Sequence, residues 1–266
     1  MKIILMTCLL AWLVQSPAYA GPAEDGLKAY REGHYIEAIK LWTPLANLGN
    51  RELQYNLGVM YAEGKGVDTD YVRAMDWFRQ AAEQDDPDAM YRIGSLYTKG
   101  QGVKQDFQEA RRWFEHAARQ GSPRAGYDLG VLYAKGLGTK RDPLLAMRWY
   151  YRAAEKKHVG AMYNLALMHE TGDGIPKDYH EAFRWYDSAA RLGATDAQAN
   201  LGRLYYLGEG VKKDWVLAYA WLAVAAKNGM DTAGKNLAFV QQKLSPAQRH
   251  KAESLAQEYL KKYIKQ

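Results

Sequence analysis

The chain has 266 residues, with 36 lysines and arginines against 30 aspartates and glutamates, for a formal charge of +6. Its one cysteine, Cys8, excludes an internal disulfide and any cysteine-built metal centre. Basic residues at 243, 249, 251, 261, 262 and 265 outnumber Glu253 and Glu258 in the tail, so the body is nearly neutral and nucleic acid is not an expected partner.

The chain opens with Lys2 and an apolar run over residues 3–14, too short to span a bilayer. Gln15, Ser16 and Pro17 come next, then the small residues Ala18 and Ala20 flanking Tyr19. This pattern predicts a signal peptide over residues 1–20, cleavage to leave Gly21 first, and an exported product, periplasmic or secreted. No later apolar stretch is long enough to cross a membrane.

Residues 21–51 are expected to form an N-terminal cap. Within them residues 27–49 read as a shortened helical copy, with Ala38, Trp42 and Gly49 in register with the second helices downstream. Pro44 falls inside its helix and should kink it.

Residues 52–236 hold five copies of one 36-residue unit. Tyr55, Tyr91, Tyr127 and Tyr163 keep that step, as do Trp77, Trp113, Trp149, Trp185 and Trp221. In each copy the apolar spacing predicts an amphipathic first helix, and a small residue such as Gly58, Gly94, Gly130 or Gly202 lets its partner approach closely. A G-x-G pair such as Gly100 and Gly102 closes that helix, because glycine accepts a left-handed backbone. A repeated aspartate, Asp70, Asp106, Asp142, Asp178 or Asp214, then caps a second helix. Glu109 and Glu181, three residues past their aspartates, suggest reciprocal capping boxes. Each repeat tryptophan, set among small alanines, is expected to be buried.

Residues 237–266 should form C-terminal capping helices with a basic tail. Ser245, Pro246 and Gln248 start the last helix, on which Ala252, Leu255, Ala256, Tyr259 and Tyr263 share one face that should close the end of the array.

The motif Y-x-L-G-x-x-Y-x-x-G-x-G-V-x-x-D-x-x-x-A-x-x-W-x-x-x-A-A resembles the Sel1-like repeat family. Departures are Thr139, Ala166, His169 and Ala199. The resemblance implies an all-α, right-handed α-solenoid of helix-turn-helix, TPR-like repeats, in which first helices line a concave groove and second helices form the outside. It also implies an adaptor that binds a protein or peptide partner. Candidate groove residues are Asn56, Arg92, Ser95, Lys99, Asp128, Lys135, Asn164, Asn200 and Arg203. The row Asn56, Arg92, Asp128, Asn164 and Asn200 has two readings, a binding row for an extended peptide or scaffold that bonds the adjacent helix. Arg112, Arg148 and Arg184 should lie on the outer, solvated face.

Nothing nominates catalysis. The G-x-G pairs lack the third glycine and preceding strand of a nucleotide loop, and the six histidines show no H-E-x-x-H spacing. No G-x-S-x-G stands by a base. The expectation is a non-enzyme without metal or cofactor. The alternatives are a cell-wall (peptidoglycan) binding module, which exposed tyrosines would suit, and a cell-wall hydrolase, for which the residues are missing.

Overall fold

The computed structural model describes residues 17–263, with side chains from Gly21 onward, so the expected signal peptide lies outside what is described apart from the backbone of its last four residues. Fourteen α-helices succeed one another, with no strand among the described residues: α1 (Pro17–Arg31), α2 (Tyr35–Asn47), α3 (Arg51–Glu63), α4 (Tyr71–Ala82), α5 (Pro87–Lys99), α6 (Phe107–Arg119), α7 (Pro123–Lys135), α8 (Pro143–Glu155), α9 (Val159–Thr171), α10 (Tyr179–Arg191), α11 (Thr195–Leu207), α12 (Trp215–Lys227), α13 (Asp231–Lys243) and α14 (Pro246–Tyr263). The chain forms two compact units. One reaches Leu132 and takes in Leu137–Lys140; the other comprises Tyr133–Gly136 and everything from Arg141.

Within a copy, local chemistry fixes both helix ends. Gly100 closes α5 in the left-handed conformation at φ 65°, and its N–H donates to the Leu96 carbonyl. Gly102 fills a different need, since a Cβ there would lie 2.7 Å from the backbone carbon of Tyr71 at the start of α4. All five aspartates cap the second helices, accepting from backbone N–H groups of the first turn, as Asp106 does from Gln108 and Glu109 at 2.8 and 3.1 Å. The reciprocal half of the expected capping boxes does not form. The Asp106 N–H donates instead to the Tyr97 carbonyl and that of Asp178 to His169, while Glu109 and Glu181 pair with Arg112 and Arg184 at 2.6 Å.

The core differs from the expectation in one residue of register. Trp149 and Trp221 are buried, but Trp77, Trp113 and Trp185 are only partly so. The side chain buried in every copy is the next residue: Phe78, Phe114, Tyr150, Tyr186, and Leu222 in the last copy. Neighbours on a helix point roughly 100° apart, so only one of the two faces the first helix of its own hairpin. A Cβ on Gly94 would meet the Phe114 ring at 2.6 Å, one on Gly58 would meet Phe78 at 2.6 Å, and one on Gly202 would meet Leu222 at 2.7 Å. The glycines thus admit the side chain after the tryptophan, and the tryptophan points off this seam.

The N-terminal copy is longer than its sequence suggests. It has its own first helix, α1, where Gly26 makes room for Trp42 and the Trp42 Nε1 donates to the Ala23 carbonyl at 3.2 Å. Both partners lie beyond the expected cleavage point. Helix α2 continues through Pro44 to Asn47. At the other end the Ser245 box forms in both directions, Gln248 N–H to Ser245 Oγ at 3.3 Å and Ser245 N–H to Gln248 Oε1 at 3.0 Å. Ala252, Ala256 and Tyr263 are buried, and Tyr259 and Tyr263 pack on Trp221 with ring centroids at 4.8 and 5.1 Å. Helix α14 therefore packs on α12 and does not close the array over α13, where Phe239 stays 45 % exposed. The sequence prepares this seat: Ala220 stands where the other copies have Asp76, Arg112, Arg148 and Arg184.

Candidate functional site

Each unit presents part of the expected row on its first helices. In the first unit, α5 carries Arg92, Ser95 and Lys99 at three- and four-residue spacing, hence on one face. Arg92 and Ser95 are half-buried and Lys99 is exposed. Arg92 lies 4.0 Å from Glu63 of the preceding copy, and its buried Nε has no hydrogen-bond partner. Tyr91, beside it, hydrogen-bonds the Asp128 carboxylate on α7. Burial raises the Asp128 pKa above the ordinary carboxylate value, against the opposing pull of the Tyr91 hydrogen bond and the Lys99 charge. Burial, and after it the Asp128 charge, raises Tyr91 in turn. Asn56, on α3, is half-buried.

In the second unit Asn164 and Asn200 are half-buried and Lys135 is exposed. Asn200 hydrogen-bonds Tyr163 of the preceding copy, a link with the same 37-residue offset as Tyr91 to Asp128. Arg203 is tied into a network, pairing with Glu170 and with Glu209 at 3.3 Å, while the Tyr186 hydroxyl donates to Glu170 at 2.6 Å. Burial and that bond push the Tyr186 hydroxyl far up.

At Asp128 and Asn200, then, the row residue ties two copies together, as the scaffold reading holds. The tyrosines lie against core rings, Tyr55 on Phe78 at 5.8 Å, Tyr91 on Phe114 at 5.6 Å and Tyr163 on Tyr186 at 5.7 Å. On α5 the face of Arg92, Ser95 and Lys99 keeps unspent polar capacity at the Arg92 Nε. Sequence reasoning missed Glu63 and Glu170, whose roles come from reaching across to the next copy. On the second helices Arg112, Arg148 and Arg184 are exposed as expected. Among the described residues no cluster of three or more histidines, cysteines or carboxylates is placed to hold a metal, and no helix is long and apolar enough to cross a membrane.

The Sel1 repeat family model matches residues 52–86, 87–122, 123–158, 159–193 and 195–230. Among solved structures, a Sel1 repeat protein from Oxalobacter formigenes is 33 % identical with a TM-score of 0.76, the match covering 89 % of this chain and 99 % of that one. The protective antigen c5321, present in uropathogenic Escherichia coli strains, is 26 % identical over 92 % of this chain and 69 % of its own, with a TM-score of 0.47. A Sel1 repeat protein from Klebsiella pneumoniae is 24 % identical over 75 % and 97 %, at 0.48. Among curated proteins no significant match is found.

Proposed function

Because the chain belongs to the Sel1 repeat family, whose members mediate protein–protein interaction and are typically non-catalytic, we propose that it is an exported scaffold holding a protein or peptide partner on its first-helix faces. The observation that carries this reading is the α5 face. Arg92 keeps a buried Nε donor without an acceptor, Ser95 and Lys99 extend the same stripe, and the Asp128 carboxylate lies within reach of the Lys99 charge. A polar segment of mixed sign, offering a carbonyl or carboxylate to Arg92, suits that stripe.

The test compares two triple variants for retention of partners from envelope extract and for melting temperature. Arg92→Ala with Ser95→Ala and Lys99→Ala should release the partner with little change in melting. Arg112→Ala with Arg148→Ala and Arg184→Ala should retain it. If the outer triple releases the partner and the α5 triple keeps it, the site lies on the second helices.

A further inference from the structure

A second surface, independent of the α5 face, stands out at the last copy. In the inner copies the residue that opens each second helix is covered by the next copy's loop glycine: Gly102 lies on Tyr71, Gly138 on Phe107, Gly174 on Pro143 and Gly210 on Tyr179. Trp215 opens α12 at the same register, but the segment from Lys243 to Pro246 contains no such loop. Aromatic rings occupy the place instead. Tyr206 stacks on Trp215 at 6.2 Å with an interplanar angle of 9°, and Phe239 meets Tyr206 at 5.9 Å and Trp215 at 6.2 Å.

The repeat does not require these side chains. Tyr206 stands where the other copies have Ala62, Thr98, Ala134 and Glu170, and Leu207 stands where they have Glu63, Lys99, Lys135 and Thr171. Phe239 is left 45 % exposed and Leu207 43 %. Lysines surround the rings. The Lys213 ammonium lies 5.6 Å from the Trp215 centroid and that of Lys243 5.5 Å from Phe239, with Lys235 one turn before Phe239 on the exposed side of α13. Of the neighbouring acids, Asp214 caps α12 and Glu209 pairs with Arg203, while Asp231 lies one turn before Lys235 at the start of α13.

We infer that the patch of Leu207, Trp215 and Phe239, ringed by Lys213, Lys235 and Lys243, docks on the surface of an anionic phospholipid bilayer. Charge complementarity supplies the first argument, because the Lys213 and Lys243 ammonium groups lie beside the Trp215 and Phe239 rings and none of the three lysines is in ion-pair contact with a carboxylate among the described residues. Residue type supplies the second. Protein–protein interfaces enrich arginine and deplete lysine, and the cations here are all lysine. Lysine stems lie along apolar surface with the ammonium kept in water, while tryptophan, phenylalanine and leucine enter the headgroup level, which suits a fluid array of phosphates without fixed geometry. The contact is peripheral, as the exposed Leu207 and Phe239 with the half-buried Trp215 cannot span the membrane.

Co-sedimentation of the full chain with phosphatidylcholine vesicles, with and without phosphatidylglycerol, at low and high salt, tests this. The apolar run over residues 3–14 is common to wild type and variants, so the readout is the difference between them. Binding should require phosphatidylglycerol and fall with salt. Lys213→Gln, Lys235→Gln and Lys243→Gln should each lower the partition coefficient roughly fivefold. Phe239→Ser should lower it as well, while Lys156→Gln with Lys157→Gln, elsewhere in the same unit, should not. Circular dichroism confirms that each variant is folded. Equal binding to neutral vesicles, or no loss in the three lysine variants, overturns the inference. So does binding of polyglutamate through the same lysines by a protein that ignores vesicles, since that would make the partner an acidic polypeptide.

Discussion

The one-residue shift between the conspicuous tryptophan and the buried ring can be tested at neighbouring positions of α6. Phe114 is 1 % exposed and seated against Gly94, while Trp113 is partly buried. Removing the Phe114 ring leaves a cavity bounded by two helices that the adjoining copies hold in place, so Phe114→Ala should cost about 3 to 5 kcal/mol. Trp113→Ala deletes a larger ring but opens less closed space, and should cost roughly 1 to 2 kcal/mol. With about 2 to 4 °C lost per kcal/mol in a chain of this size, Phe114→Ala should melt on the order of 10 °C below wild type. Gly94→Ala provides the counterpart, since its new methyl group falls 2.6 Å from the Phe114 ring and should cost about 1 to 3 kcal/mol. Combined with Phe114→Leu, which installs the side chain that Leu222 presents to Gly202, it should cost less than the sum of the two changes. Urea unfolding of these variants and of Phe114→Leu alone, monitored by circular dichroism, gives the values. If Trp113→Ala costs more than Phe114→Ala, the ring that fills the hairpin has been misassigned.

Asp85 and Lys157 adopt left-handed backbones, φ 60° and 62°, at the register where Gly49, Gly121, Gly193 and Gly229 do so, and Asp85→Gly and Lys157→Gly should each stabilise by roughly 0.5 to 1 kcal/mol in the same unfolding assay. Asp128→Asn should be more stable than wild type at neutral pH. Burial raises the folded-state pKa of Asp128 above its unfolded value, so its stabilising contribution is fully present below the unfolded pKa and is lost as pH rises through the folded one; the advantage of asparagine should vanish in acid below the carboxyl range, which melting temperatures across pH would show. N-terminal sequencing of protein recovered from the envelope should begin at Gly21, and an intact Met1 would remove the argument for export.

A repeat discloses in its sequence what it repeats. The aspartate caps and the glycine turns are solved within a few residues of chain, and their fivefold recurrence makes them readable in the sequence itself. The core seam is legible there only as a choice between two adjacent large residues. Spacing alone favours the tryptophan because it never varies, whereas the side chain behind it drifts from Phe78 to Tyr150 to Leu222. That drift is itself the mark of a pocket filled by volume: Phe114 meets Gly94, while Tyr186 coexists with a buried Ala166 and sends its hydroxyl to Glu170. The constant tryptophan answers to its neighbours in other copies, as Trp185 does to Tyr151 at 5.4 Å and Trp221 to α14. Contacts between copies, such as the Tyr91–Asp128 hydrogen bond and the Arg92–Glu63 ion pair, cannot be read from one unit, because each needs the relative placement of two. The last copy inverts the rule. Ala220, Tyr206 and Leu207 break the pattern of their rows, and each departure marks a place where the array stops meeting another copy of itself: Ala220 under α14, and Tyr206 and Leu207 at the exposed aromatic patch. In a repeat protein the positions that agree describe the scaffold, and those that disagree together, in one copy and on one surface, are where a contact of a different kind should be sought.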